Sequence, residues 1–134
     1  MGNALQFRKA TEDDCTELAL IRDIAGRRMP SYLWSQEVGQ GQSYFEYGRE
    51  TIRTDVNSNA YFKNWLVAES QFKFVGAFFG FSLDDPYPDI DLDAVPECFR
   101  PCVELERVAS GCWLLQAIAI LPQYRGKGLA RQLL

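Results

Sequence analysis

Histidine is absent from this chain of 134 residues. That absence closes off histidine general bases, Ser-His-Asp and Cys-His arrangements, and imidazole metal ligands within these residues. Cysteine is sparse and scattered: Cys15, Cys98, Cys102 and Cys112 lack the tight repeated spacing of a disulfide framework or a zinc site, so no metal is expected. Long apolar runs are missing as well. No stretch of about eighteen residues escapes a polar or charged break, and Met1-Gly2-Asn3-Ala4-Leu5-Gln6-Phe7-Arg8-Lys9 has no signal-like hydrophobic centre. The expectation is a cytoplasmic protein with no membrane partner. Positive charge is in deficit, with 14 Lys and Arg against 18 Asp and Glu and a formal net charge of -4. Such a balance argues against nucleic acid as the main partner, since that affinity rests on basic surface. It suits a cationic small molecule, or is simply solubilising charge.

What is present is a core-forming composition, 47% hydrophobic and 13% aromatic, sufficient for one domain over residues 1–134. Leu5-Gln6-Phe7-Arg8-Lys9 alternates as a strand, and Thr11-Glu12-Asp13-Asp14 is a helix start with a hydroxyl cap and acids in the first turn. Leu18, Ile21, Ala25 and Met29 step by three and four as one apolar stripe, and the Met29-Pro30 bond predicts a helix end near Arg28. A Gly/Gln-rich break, Val38 to Gln42, precedes a predicted helix over 43–56 with a stripe of Phe45, Ile52 and Val56. Two apolar runs, Asn64 to Glu69 and Phe72 to Phe81, separated by Ser70-Gln71, predict a tight antiparallel hairpin. The second run is apolar on both faces, with Phe72, Phe74 and Phe78 on one and Val75, Ala77, Phe79 and Phe81 on the other, which predicts a central strand. Gly76 and Gly80 leave room for a close approach or mark bulges.

Between Ser82 and Gly111 the texture changes: four of the six prolines and eight of the eighteen acids fall here, against two arginines. The expectation is a long loop whose acids (Asp84, Asp85, Asp89, Asp91, Asp93, Glu97, Glu104, Glu106) either draw a cationic substrate or are merely solvated. The order strand, helix, helix, strand, strand, loop, strand, glycine turn, helix start predicts an α/β fold, a mixed, mainly antiparallel sheet with helices on both faces.

Directly behind the apolar run Trp113-Leu114-Leu115-Gln116-Ala117-Ile118-Ala119-Ile120 comes Leu121-Pro122-Gln123-Tyr124-Arg125-Gly126-Lys127-Gly128-Leu129-Ala130. Glycines here let the backbone curl with φ > 0 and let an anion approach without a Cβ in the way, a helix start would add unpaired N–H groups, and Arg125 and Lys127 would add rim charge. A Walker-type loop fits poorly because Gly128, not Ser or Thr, follows Lys127 and no hydroxyl is placed for magnesium. A dinucleotide fingerprint would need a third glycine where Arg131 stands. A packing turn with incidental basic residues and a basic nucleic-acid loop are the other readings.

Gln123-x-x-Gly126-x-Gly128 resembles, at every defined position, the Gln/Arg-x-x-Gly-x-Gly/Ala turn of the GNAT superfamily of N-acetyltransferases. The strand from Trp113, the first strand and helix, and the hairpin also stand where that family has its own. The resemblance implies a GNAT-like acyl-CoA N-acyltransferase fold, incomplete at the C-terminus because the chain stops six residues after Gly128, before that family's next strand, helix and final strand. It implies acetyl-CoA as co-substrate and an amine as acceptor, attacked directly. The pyrophosphate would rest on backbone amides from Tyr124 through Leu129, within a cofactor stretch of Ile118, Ala119, Ile120, Gln123, Tyr124, Arg125, Gly126, Lys127, Gly128, Leu129 and Ala130. The pantetheine arm would lie along Ile118-Ala119-Ile120, with an N–H near Ile118 polarising the thioester. Without histidine, carboxylates are the candidate bases, and Glu104 and Glu106 stand just upstream of the Trp113 strand. Gln116 either contacts substrate or caps a neighbouring strand. The alternative function is a non-catalytic protein that binds acetyl-CoA or CoA, or another partner, without turnover. An unpaired, apolar edge on the Trp113-to-Leu121 strand would favour a homo-oligomer.

Overall fold

The computed structural model describes residues 4–134, which divide into two compact units: the chain up to Gly80 together with Leu115–Leu134, and Phe81–Leu114. Four strands, β1 (Gln6–Lys9), β2 (Trp65–Ser70), β3 (Lys73–Ser82) and β4 (Trp113–Ile120), form one sheet in the order β1-β2-β3-β4. β1 and β3 both pair antiparallel to β2, so β3 is an inner strand and β4 an edge among the described residues. The expected hairpin forms, with its turn one residue later than Ser70-Gln71, since Ser70 still pairs with Lys73. Gln71 and Phe72 make its turn with φ of 52° and 65°, the double left-handed geometry that matches strand twist, and Phe72 is left 92% exposed.

In the larger unit, Thr11 opens a short 3₁₀ turn at Glu12–Asp14, and the Asp14 carboxylate accepts the Thr11 N–H at 2.7 Å. Helix α1 (Cys15–Ala25) follows and buries Leu18, Ala19 and Ile21. It ends three residues short of the expected Arg28, because Arg27 and Arg28 turn left-handed, with φ of 53° and 68°. A helix that the sequence reading omitted comes next: α2 (Met29–Glu37). Pro30 lies in the first turn of this helix, where its missing N–H is tolerated, and the Asp23 carboxylate accepts the Ser31 N–H there at 2.9 Å. Helix α3 (Tyr44–Thr54) is capped by Ser43, whose hydroxyl accepts the Glu46 N–H at 3.0 Å. Ile52 is buried, whereas Val56 lies beyond the helix end, 67% exposed. Gly48 lets α3 pack on α2, for a Cβ there would meet the Trp34 ring at 2.5 Å.

Trp65, Val67, Ala77 and Phe79 form the buried sheet face, and Arg22 of α1 lies over Phe79. The face assignments change at the start of β3, where Phe72 lies in the turn and Phe74 and Val75 exchange faces relative to Phe78 and Phe79. Pairing jumps from Ala68↔Gly76 to Glu69↔Phe74, leaving Val75 as an extra residue, a bulge that turns it to the other face. There it joins Ala68, Ile120, Leu129 and Leu133, with Phe78, Ile118 and Tyr124 packed against them. The body that comes close to Gly76 is the chain itself: the Ala119 carbonyl and Ile120 occupy the place of a Cβ.

In the smaller unit the expected long loop is instead a series of short turns, Leu92–Ala94 and Glu97–Phe99, leading into helix α4 (Arg100–Val108). Pro101 falls in the first turn of α4, where proline is accommodated; the density of acids and prolines hid a helix that exposes Leu105 and Val108. Leu83 N–H donates to the Cys112 carbonyl at 2.8 Å, joining the two ends of this unit. No helix among the described residues is long and apolar enough to cross a membrane.

Candidate functional site

Two glycines and two buried leucines shape the segment behind β4. Leu121 N–H donates to the Val75 carbonyl at 2.8 Å, tying the strand end to β3. A 3₁₀ turn, Pro122–Tyr124, reverses the chain, and Leu129 and Leu133 clamp its far side into the apolar cluster around Val75 and Ile120. Between these anchors Gly126 and Gly128 take φ of 81° and 74°, a region that costs a side-chain-bearing residue about 1–2 kcal/mol. A Cβ at either would meet nothing within 4 Å, so the space in front of the turn is open.

The backbone donors can be followed one by one. Tyr124 N–H is taken by the Leu121 carbonyl at 3.0 Å and Arg125 N–H by the Pro122 carbonyl at 3.2 Å. These two amides are therefore spent, and the expected row of donors starting at Tyr124 begins instead at Gly126. The N–H groups of Gly126, Lys127 and Gly128 make no hydrogen bond among the described residues. Three successive free amides curled by positive-φ glycines form an anion-binding concavity. After Gly128 comes a 3₁₀ turn of five residues, Leu129–Leu133, where an α-helix start was expected. So short an element has little macrodipole, and the free amides carry the attraction for an anion.

Arg125 and Lys127 play different parts at this rim. Arg125 Nε–H donates to the Ile120 carbonyl at 3.2 Å, which ties its side chain to the strand end and leaves its two terminal nitrogens without a partner among the described residues. Lys127 is exposed, as are Gln123 and Ala130. Tyr124 packs into the apolar cluster. On β4 the Ala119 carbonyl points at Gly76 of β3, and strand alternation sends the Ile118 N–H and the Ile120 carbonyl to the opposite, unpaired edge. The bond from Arg125 to Ile120 lies on that edge. Gln116 is half-buried, and its amide makes no hydrogen bond among the described residues, so it caps no neighbouring strand.

The two carboxylates proposed as bases lie on α4 of the smaller unit, not in a loop. Glu104 is exposed, while Glu106 is half-buried and accepts the Tyr87 O–H at 2.7 Å. Burial first, then this bond to a carboxylate, pushes the Tyr87 phenol up to about 12, so it stays a donor. The sequence reading missed Tyr87, which carries no local signal. It also missed Arg22, whose signal was available: a charge four residues beyond Leu18 on the apolar stripe of α1. Among the described residues no group of three or more His, Cys, Asp or Glu is arranged to hold a metal ion.

No protein-family model and no curated protein matches the sequence. Solved structures do match in shape. An N-acetyltransferase from Staphylococcus aureus Mu50 superposes with a TM-score of 0.56 at 16% identity, over 96% of this chain and 72% of its own. A second structure, an acetyltransferase, gives 0.60 at 18% identity, over 96% of this chain and 69% of its own. The α/β fold with its antiparallel sheet, expected from the order of elements, is thus the fold of these acetyltransferases.

Proposed function

We propose that this chain is an N-acetyltransferase that moves an acetyl group from acetyl-CoA to a primary amine of a small molecule or peptide by direct attack. The observation that carries the reading is the row of three unbonded amides, Gly126, Lys127 and Gly128, facing open space beside the free edge of β4. The fold likeness supports it. These amides suit a pyrophosphate, with Lys127 and the terminal nitrogens of Arg125 as added positive charge. The Ile118 N–H, on the unpaired edge, is a donor for the oxygen of a thioester carbonyl as negative charge develops on it. A primary amine with a pKa near ~10.4 is mostly protonated at neutral pH and must lose a proton before it attacks. Glu106 is assigned that task, through water, because Tyr87 fixes its carboxylate; Glu104, exposed and unfixed, is the weaker candidate. Acetyl-CoA and the amine are the partners in this reading, in the cytoplasm.

The test is calorimetric titration with CoA, followed by free-thiol release from acetyl-CoA across a panel of amines, with Glu106→Gln as the comparison. Saturable CoA binding and amine-dependent thiol release that falls at least about tenfold in Glu106→Gln are expected. CoA binding with no thiol release for any amine would leave only the non-catalytic CoA-binding reading, and no CoA binding would remove both.

A further inference from the structure

Arg22 stands in the last turn of α1, half-buried, its guanidinium carbon 5.4 Å from the centroid of the Phe79 ring. Phe79 is itself buried and packed at a tilt against Trp65, ring centroids 4.5 Å apart, so the floor beneath the guanidinium is apolar. The Arg22 guanidinium forms no hydrogen bond and no ion pair among the described residues. Arg8 shows the contrast: it engages Asp14 at 2.7 Å and Glu69 at 3.1 Å. Burial lowers the pKa of Arg22, and no charge among the described residues offsets it. A cation held partly out of water without a counter-charge is costly.

Two simpler explanations leave part of this unaccounted for. A cation in the last turn favours the helix dipole, but the exposed Arg27 and Arg28 directly after α1 supply that without burial. The ring of Phe79 attracts the face of the guanidinium, which leaves the in-plane N–H donors unused. Those donors are not sealed off, because no unbonded side-chain nitrogen of a non-exposed described residue is shut away from solvent. They form a recessed, solvent-reaching fork over an aromatic floor. A planar fork takes a planar, singly charged anion bidentately. A phosphate dianion would call for further basic groups, and none acts on Arg22.

We infer that Arg22 is a carboxylate anchor, and that the acceptor is an amine that also carries a carboxylate, an amino acid or the C-terminal end of a short peptide. The anchor stands on the geometry alone; its assignment to the acceptor rests on the transfer reading above. The experiment follows the Arg22 Nε–H signal by ¹⁵N NMR, identified by its loss in Arg22→Gln, during titration with acetate, L-alanine, L-alaninamide and inorganic phosphate. A saturable shift with acetate and alanine, absent with alaninamide and phosphate, is expected. In thiol-release assays alanine should exceed alaninamide in kcat/KM by on the order of tenfold. Arg22→Gln should bring that ratio near one, and Arg22→Lys should restore only part of it. Both variants should keep the KM for acetyl-CoA, which shows that they fold. An Nε–H signal unmoved by either carboxylate in protein that binds CoA would overturn the inference and leave Arg22 as a structural cation on Phe79. A shift with phosphate alone would overturn it equally. Carboxylate binding with no thiol release for any amine would keep the anchor and remove the transfer reading, so the two fail separately.

Discussion

Gly126→Asp isolates the electrostatics of the glycine turn. The φ of 81° and the absence of any atom within 4 Å of a Cβ mean that the new side chain meets no neighbour. Its cost to folding is limited to the left-handed backbone, about 1–2 kcal/mol for an ordinary residue and less for Asp or Asn, which tolerate this region. A carboxylate about 4 Å from a bound phosphate repels it by ~1 kcal/mol per pair of unit charges in bulk water and by ~4 kcal/mol at an effective dielectric of about 20. At 1.4 kcal/mol per factor of ten, CoA affinity falls between about fivefold and several hundredfold. Gly126→Asn has nearly the same size and backbone cost without the charge, so it falls less. Calorimetric titration of wild type, Asn and Asp variants with CoA at low and physiological salt measures the difference, and the gap between Asp and Asn should narrow as salt rises. A folded Gly126→Asp protein with wild-type CoA affinity refutes the phosphate seat, and equal losses in Asn and Asp refute its electrostatic basis.

Two further outcomes follow from charges elsewhere. Burial by itself would push the Asp14 carboxyl up, but the hydrogen bonds from Arg8 and Thr11 outweigh it and hold the pKa below its ordinary 3.8. A carboxylate depressed on folding contributes stability above its unfolded pKa and loses it as pH falls through the folded value. Urea midpoints should therefore drop below pH ~3.8 in wild type, whereas Asp14→Asn should be less stable at neutral pH and lack that acid limb; superimposable pH curves would refute the assignment. Neutralising Asp89, Asp91 and Asp93 together should raise the KM for an amine most at low ionic strength, if these acids of the smaller unit recruit the substrate. An unchanged KM, or a change that salt does not affect, leaves them as solvated turn residues.

Local chemistry was sufficient to read the elements that depend on neighbours in the chain. The hairpin between the two apolar runs and the positive φ of Gly126 and Gly128 follow from alternation and the missing Cβ, short-range constraints, although the turn itself falls at Gln71-Phe72, one residue later than the spacing placed it. Helices α2 and α4 were not read, because each carries a proline in its first turn and a proline is read most easily as an end. In the structure Asp23, eight residues away, accepts the Ser31 N–H, a partnership that local spacing does not announce. The bulge at Val75 was equally hidden: only pairing with β2 reveals which residue of β3 is the extra one, and that one residue changes which face Val75 serves. The sequence by itself determined the composition limits, the order of strands and the glycine turn, since these depend on residue type and spacing along the chain. Only the tertiary structure decided that the donors of that turn start at Gly126, that Glu106 is held by Tyr87, and that Arg22 lies unpaired over Phe79. Each of these depends on which distant group occupies or leaves vacant a hydrogen-bonding position, and that is set when the chain packs.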